Sequence, residues 1–122
     1  MYAWDDINPD DINTNPLRKV EVYKLNRGGT TLYMLRCPEV FDTLYTEDRV
    51  HRFTQEAVFG KAAYALMTRE DIMPVVPDII HLNEAHTVVA AAQAKADDRF
   101  EKTAVVYTNH TIVPAGLEVF QA

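Results

Sequence analysis

Two short apolar runs, each followed at once by a polar cluster, restrict this chain more than any other feature of it. Asp78-Ile79-Ile80-His81-Leu82 and Thr103 to Tyr107 read as buried strands, and Thr87 to Asp97 between them reads as an alanine- and valine-rich helix ending in charges. A strand, a helix and a second strand, with about twenty residues from one strand to the next, fit a right-handed crossover that brings the second strand back parallel to the first. The expectation is a parallel sheet within an α/β fold.

The upstream half adds a hairpin and a long helix. Lys19 to Asn26 alternates through Val20, Val22 and Leu25, and Thr30 to Arg36 repeats the β-rich character across Arg27-Gly28-Gly29. From Thr46 the period lengthens. Val50, Phe53, Ala57, Gly60, Tyr64 and Met67 recur at spacings of three and four, which predicts a helix over residues 47–70 with these side chains on its buried face. Thr46 is the expected N-cap, Glu47 and Asp48 suit the first turn and Arg69 the last. Arg52, Gln55 and Glu56 form a polar strip that reads as solvated surface. Residues 1–18, rich in Asp, Asn and Pro, read as a loop or tail over a neighbour, and residues 19–122 as one unit. The order of hairpin, α, β, α, β is part of a Rossmann-like α/β sheet.

Charge and composition narrow the partners. With 18 acidic against 12 basic residues the net charge is −6, which repels nucleic acid and anionic lipid. Met1 to Asp11 is acidic and holds no apolar run of the signal-peptide kind, and no stretch reaches the length of a membrane span, so the cytoplasm is the expected compartment. Cys37 is the single cysteine and reads as a small buried hydrophobe. Asp6, Asn8 and Asp10 do not make a calcium loop, because Asp11 stands where glycine is needed and Leu17 where glutamate is needed. Gly28-Gly29 is followed by no helix start and is not a phosphate cradle.

The candidate site lies in the two polar clusters, Asn83-Glu84-Ala85-His86 and Thr108-Asn109-His110-Thr111. In open α/β sheets ligands bind beyond the carboxyl ends of the strands, so both clusters face one crevice if their strands are neighbours. Carboxylate, imidazole, amide and hydroxyl groups suit a hydroxyl-rich ligand, whose every hydroxyl both donates and accepts. Taken singly, Asn83 and Thr111 would serve as helix caps and His86 as a donor to a backbone carbonyl. His81, Glu84, His86 and His110 lack both His-Glu-x-x-His and His-x-x-Glu-His spacing, so no metal is expected. Asn109-His110-Thr111 also matches a glycosylation sequon, which means little without a secretory signal.

Pro77-Asp78-Ile79-Ile80-His81-Leu82-Asn83-Glu84-Ala85-His86 and Tyr107-Thr108-Asn109-His110-Thr111-Ile112-Val113-Pro114-Ala115-Gly116 resemble two signature stretches of the α-glucan (glycogen, starch, maltodextrin) phosphorylases. The resemblance runs over roughly residues 20–120, taking in Glu21 to Arg36 and Arg52-x-x-Gln55-Glu56 with Gly60. It implies a fragment of the N-terminal domain of a GT-B enzyme, one that uses pyridoxal 5′-phosphate and transfers glucose from an α-1,4-glucan end to inorganic phosphate. By motif match His110 and Glu84 would be the catalytic pair, His110 on the reacting glucose, while His86 lines the sugar pocket and Asn83, Asn109 and Thr111 complete the substrate-binding loops. Ala85 replaces the usual Gly or Thr, and Lys61-Ala62-Ala63 stands where short members have glycines.

No counterpart of the cofactor lysine, the phosphate-binding basic residues or the second domain is found in these 122 residues. The isolated chain is therefore expected to bind no pyridoxal phosphate and to be inactive. Its expected partners are an α-1,4-glucan or glucose and the remainder of the enzyme, with self-association through exposed apolar surface. A GT-B glycogen synthase is the enzymatic rival. A stand-alone carbohydrate-binding or interaction module is the rival from another class. Glu84, His86 and His110 are expected within about 10 Å of one another on one sheet edge.

Overall fold

The computed structural model describes residues 2–7, 19–110 and 112. Its elements are β1 (Tyr2–Ile7), β2 (Val20–Arg27), β3 (Thr30–Arg36), α1 (Arg49–Met67), β4 (Ile79–Asn83), α2 (Val88–Lys95) and β5 (Ala104–Thr108), with single 3₁₀ turns at Ala85–Thr87 and Asp98–Phe100. They form two sheets, an antiparallel one in the order β1-β2-β3 and a parallel pair β4-β5. Mixed α/β architecture, a hairpin and a parallel crossover are thus present, as the hydrophobic patterning predicts.

The hairpin closes on Gly28 and Gly29 at φ 56° and 82°. Two successive positive φ values match the right-handed twist of the flanking strands, and glycine adopts them without a side-chain clash. Residues 2–7, expected as loop, instead form β1 and pair antiparallel with β2, the register shifting between Trp4 and Ile7. Adjacent Asp5 and Asp6 break the alternation that marks a strand, and it is the unpaired edge of β2 that recruits this segment.

Helix α1 starts later than expected. Asp48, not Thr46, is the N-cap, its side chain accepting from the backbone N–H of Val50 and His51. Thr46 sits one step back, its Oγ1 accepting from the Asp48 N–H at 3.2 Å. The helix ends at Met67, which leaves Arg69 outside it.

The expected buried face is also only half right. Gly60, Tyr64 and Met67 do lie toward α2 and β4, but Val50 and Phe53 are 77% and 56% exposed. The reason is that α1 packs on two sides at once. Val58 and Ala62 join Val20, Cys37 and Val40 in one cluster, and Leu66 joins Val22 and Ile72 in the next. On the other side Tyr64 and Met67 meet Ile80, Leu82, Ala91, Ala94 and Phe100. Gly60 is what allows this second contact, since a Cβ there would come 2.5 Å from the Cβ of Val89 and 2.9 Å from the Ala90 nitrogen.

The parallel pair is in register from Ile79↔Ala104 to Asn83↔Thr108. Ile80 and Leu82 turn toward α2 and are buried, whereas Ile79 and Val106 on the other face are 61% and 47% exposed. A parallel pair covered on one face only leaves apolar surface open. No helix of the described residues is long and apolar enough to cross a membrane.

Candidate functional site

Both polar clusters leave neighbouring parallel strands at their carboxyl ends, which brings them together. The ladder continues one step past β4, where the Glu84 N–H donates to the Thr108 carbonyl at 3.0 Å. The chain then turns sharply. The Glu84 carbonyl accepts from the Thr87 hydroxyl at 2.7 Å, and Glu84 itself adopts φ 65°, ψ 172°. That region of backbone space belongs almost wholly to glycine, and a side chain held there costs roughly 1–3 kcal/mol.

The strained backbone directs the Glu84 carboxylate at the other loop. Its Oε1 accepts from the His110 backbone N–H at 2.8 Å and lies 2.9 Å from His110 Nδ1. The His110 backbone N–H is the main reason the Glu84 carboxyl sits below its ordinary pKa, with the His110 ring and the charge of His86 adding to it. An ionised carboxylate against Nδ1 selects the tautomer that carries its proton there. His110 Nε2 is then the ring nitrogen left for a ligand, on a side chain that is 64% exposed.

His86 points elsewhere. On the 3₁₀ turn it stands 4.0 Å from the Oε1 of Glu56, a carboxylate of α1, and its ring lies 6.2 Å from that of Tyr45. Asn83 ends β4 and shares a cleft of about 510 Å³ with Glu84, His86 and Thr87. Asn109 is half-buried beside His110, while Thr111 lies outside the described residues. His81 is on the open face of the sheet, its Nε2 2.7 Å from Thr108 Oγ1. Among the described residues no group of three or more His, Cys, Asp or Glu is placed to hold a metal ion.

Sequence reasoning missed the other wall of the cleft. Gln55 and Glu56, expected at the surface, are 4% and 7% exposed. The Gln55 Nε2 donates to the carbonyls of Val40 and Thr43, both at 2.9 Å, so both amide protons hold the β3–α1 loop. Arg52 donates from Nε and Nη2 to the Thr46 carbonyl, and His51 Nε2 meets Asp42 Oδ1 at 2.7 Å. Only the R-x-x-Q-E pattern shared with the phosphorylases marked this strip in the sequence.

The described residues thus form an α/β segment whose polar loops converge beyond the carboxyl ends of two parallel strands, the place where open α/β sheets bind their ligands. The chain belongs to the family described as the starch synthase catalytic domain, which it matches over residues 2–117. It is 30% identical over 111 residues to a glycogen synthase of Vibrio cholerae, covering 84% of this chain and 22% of that protein. It is also 32% identical over 97 residues to a glycogen phosphorylase of Mycobacterium tuberculosis, covering 66% of this chain and 11% of that protein. The chain thus spans less than a quarter of the relatives it matches. No solved structure matches it. The family is one of glycogen and starch metabolism, and the relatives include a synthase and a phosphorylase alike, so the match does not single out the phosphorylase.

Proposed function

We propose that this chain is a piece of an α-1,4-glucan phosphorylase, in which the bond from glucose C1 to the glucan oxygen breaks, a bond from C1 to phosphate oxygen forms, and the freed 4-oxygen becomes a hydroxyl by gaining the proton that the hydrogen phosphate gives up. The observation that carries this reading is the Glu84–His110 pair at 2.8 and 2.9 Å. Glu84 fixes the His110 ring and tautomer, so that Nε2 meets a hydroxyl of the reacting glucose as positive charge develops at C1. A preorganised polar group of this kind acts on the transition state more than on binding. Asn83 and Asn109 flank the pair, His86 lines the adjoining cleft, and Thr111 is assigned to the substrate by motif match alone.

Pyridoxal phosphate, implied by the phosphorylase resemblance, does not fit the residues present here. Neither lysine nor arginine is among the described residues lining the cleft, so nothing there would bind its aldehyde or its phosphate. No step is assigned to it, and on this reading it is held by the remainder of the enzyme. We expect that enzyme in the cytoplasm, where Cys37 stays reduced.

The second reading, a glycogen synthase piece, is favoured by the family match over residues 2–117. Assaying a protein that carries this segment within the full length of its relatives separates the two. Glucose 1-phosphate released from glycogen and inorganic phosphate supports the phosphorylase. Glycogen growth from an activated glucose donor, with no phosphate-dependent release, refutes it.

A further inference from the structure

The β3–α1 loop displays two large apolar side chains in water from an anchored backbone. Leu44 and Tyr45 are 79% and 71% exposed. Single exposed hydrophobics need no explanation, but these two are adjacent and both line the cleft that also holds Asn83, Glu84 and His86. The loop around them is secured from below by Gln55, from one side by Arg52 on the Thr46 carbonyl, and from the other by His51 on Asp42. The loop therefore cannot easily fold its tip inward to hide these side chains.

The Tyr45 ring is itself oriented. It stands 71° from the plane of the His86 ring at 6.2 Å, an edge-to-face contact that sets its tilt over the cleft. The described lining supplies acceptors and donors in Asp42, Thr43, Gln55, Asn83 and Glu84, with no lysine or arginine. An anionic occupant such as a nucleotide or a sugar phosphate would find no lysine or arginine there, only the His86 ring already beside the Glu56 carboxylate, whereas a neutral, hydroxyl-rich ligand finds hydrogen-bond partners on the polar side and an aromatic face at the rim.

We infer that Tyr45 is the stacking platform of a saccharide subsite beside the Glu84–His110 pair, taking the C–H face of a pyranose in an α-1,4-glucan while Asn83 and Asp42 meet its hydroxyls. The choice of an α-1,4-glucan rests on the function proposed above; the platform rests on the loop.

The test is titration of the 122-residue chain with maltopentaose, followed by NMR, alongside Tyr45→Ala and Tyr45→Phe. Expected are saturable shifts at residues 43–46 and 83–87, and pyranose C–H protons moved upfield by the ring. Tyr45→Ala should weaken Kd about tenfold, the factor one aromatic contact carries, while Tyr45→Phe stays within about twofold of the parent. Because the side chain is largely in solvent, neither change should move the melting temperature, and the ligand-proton shifts of the parent chain give a readout that needs no variant. Equal affinity of Tyr45→Ala and parent, with shifts confined to residues around 84 and 110, would overturn the platform and leave the glucan reading standing. Absence of saturable maltopentaose binding would overturn the platform too. The glucan reading would then be decided by the turnover assay on the longer protein.

Discussion

Replacing Glu84 by glycine and, separately, by alanine isolates the backbone strain at the centre of the site. Both changes remove the carboxylate and its bonds to the His110 backbone and ring, so those losses cancel between the two variants. What remains is one Cβ at φ 65°, ψ 172°. At an unstrained position alanine is the more stable of the two by about 0.4–1 kcal/mol, because glycine loses more freedom on folding. At Glu84 the alanine carries a conformational cost of roughly 1–3 kcal/mol that glycine escapes. The balance favours glycine by about 1 kcal/mol, a reversal of the usual order. Urea unfolding followed by circular dichroism should give Glu84→Gly the higher midpoint at unchanged slope, and a melting temperature roughly 4 °C above that of Glu84→Ala. An alanine variant as stable as the glycine variant, or more so, would refute the claim that this backbone is strained to aim the carboxylate.

Three further outcomes follow from other parts of the molecule. Gly60→Ala forces a methyl group against Val89 and the Ala90 backbone, and should destabilise by roughly 1–3 kcal/mol in urea unfolding; a neutral result would mean that α1 and α2 do not approach as described. Asp97 is held well below the usual carboxylate range, first by the Arg99 side chain, then by the Tyr64 hydroxyl and the Arg99 backbone N–H. A depressed carboxyl contributes stability that is present above its unfolded pKa, near 3.9, and lost as pH falls through the folded value, so Asp97→Asn should flatten the loss of stability below about pH 4. Identical acid slopes in the two proteins would count against the cluster. In the longer enzyme, His110→Ala should lower kcat by about 10² with a smaller change in KM, as steady-state kinetics would show, whereas an unchanged kcat would leave His110 a packing residue.

The parts of this fold that were legible in the sequence are those set by neighbours along the chain. Gly28-Gly29 between two alternating runs specifies a tight hairpin because few residues other than glycine accept two successive positive φ values. The apolar runs at Ile79–Asn83 and Ala104–Thr108 specify strands, and the helix between them specifies the parallel crossover; their expected burial holds only for Ile80 and Leu82, because one face of the pair is uncovered. The polar clusters could be assigned to one edge because they begin where those strands end. The bent backbone of Glu84 left no trace, since glutamate is a residue no turn rule would place at φ 65°.

Helix α1 shows why the remainder was hidden. A period between three and four fits the stripe Val50, Phe53, Ala57, Gly60, Tyr64 and Met67, but it fits Gln55, Val58, Ala62 and Leu66 equally well. Choosing the more hydrophobic stripe assumes that a helix has one buried side. Here α1 is covered on two, and the second stripe opens with a glutamine whose burial is sustained by carbonyls 12 and 15 residues away in sequence. Periodicity registers which side chains are apolar and is blind to a polar one whose partners are distant. A buried amide needs those partners, because an unsatisfied one would cost roughly 1–3 kcal/mol. Gln55 therefore sits beneath the β3–α1 loop for the same reason that the loop keeps its shape, and the strip that read as solvent-facing is what holds one wall of the cleft in place.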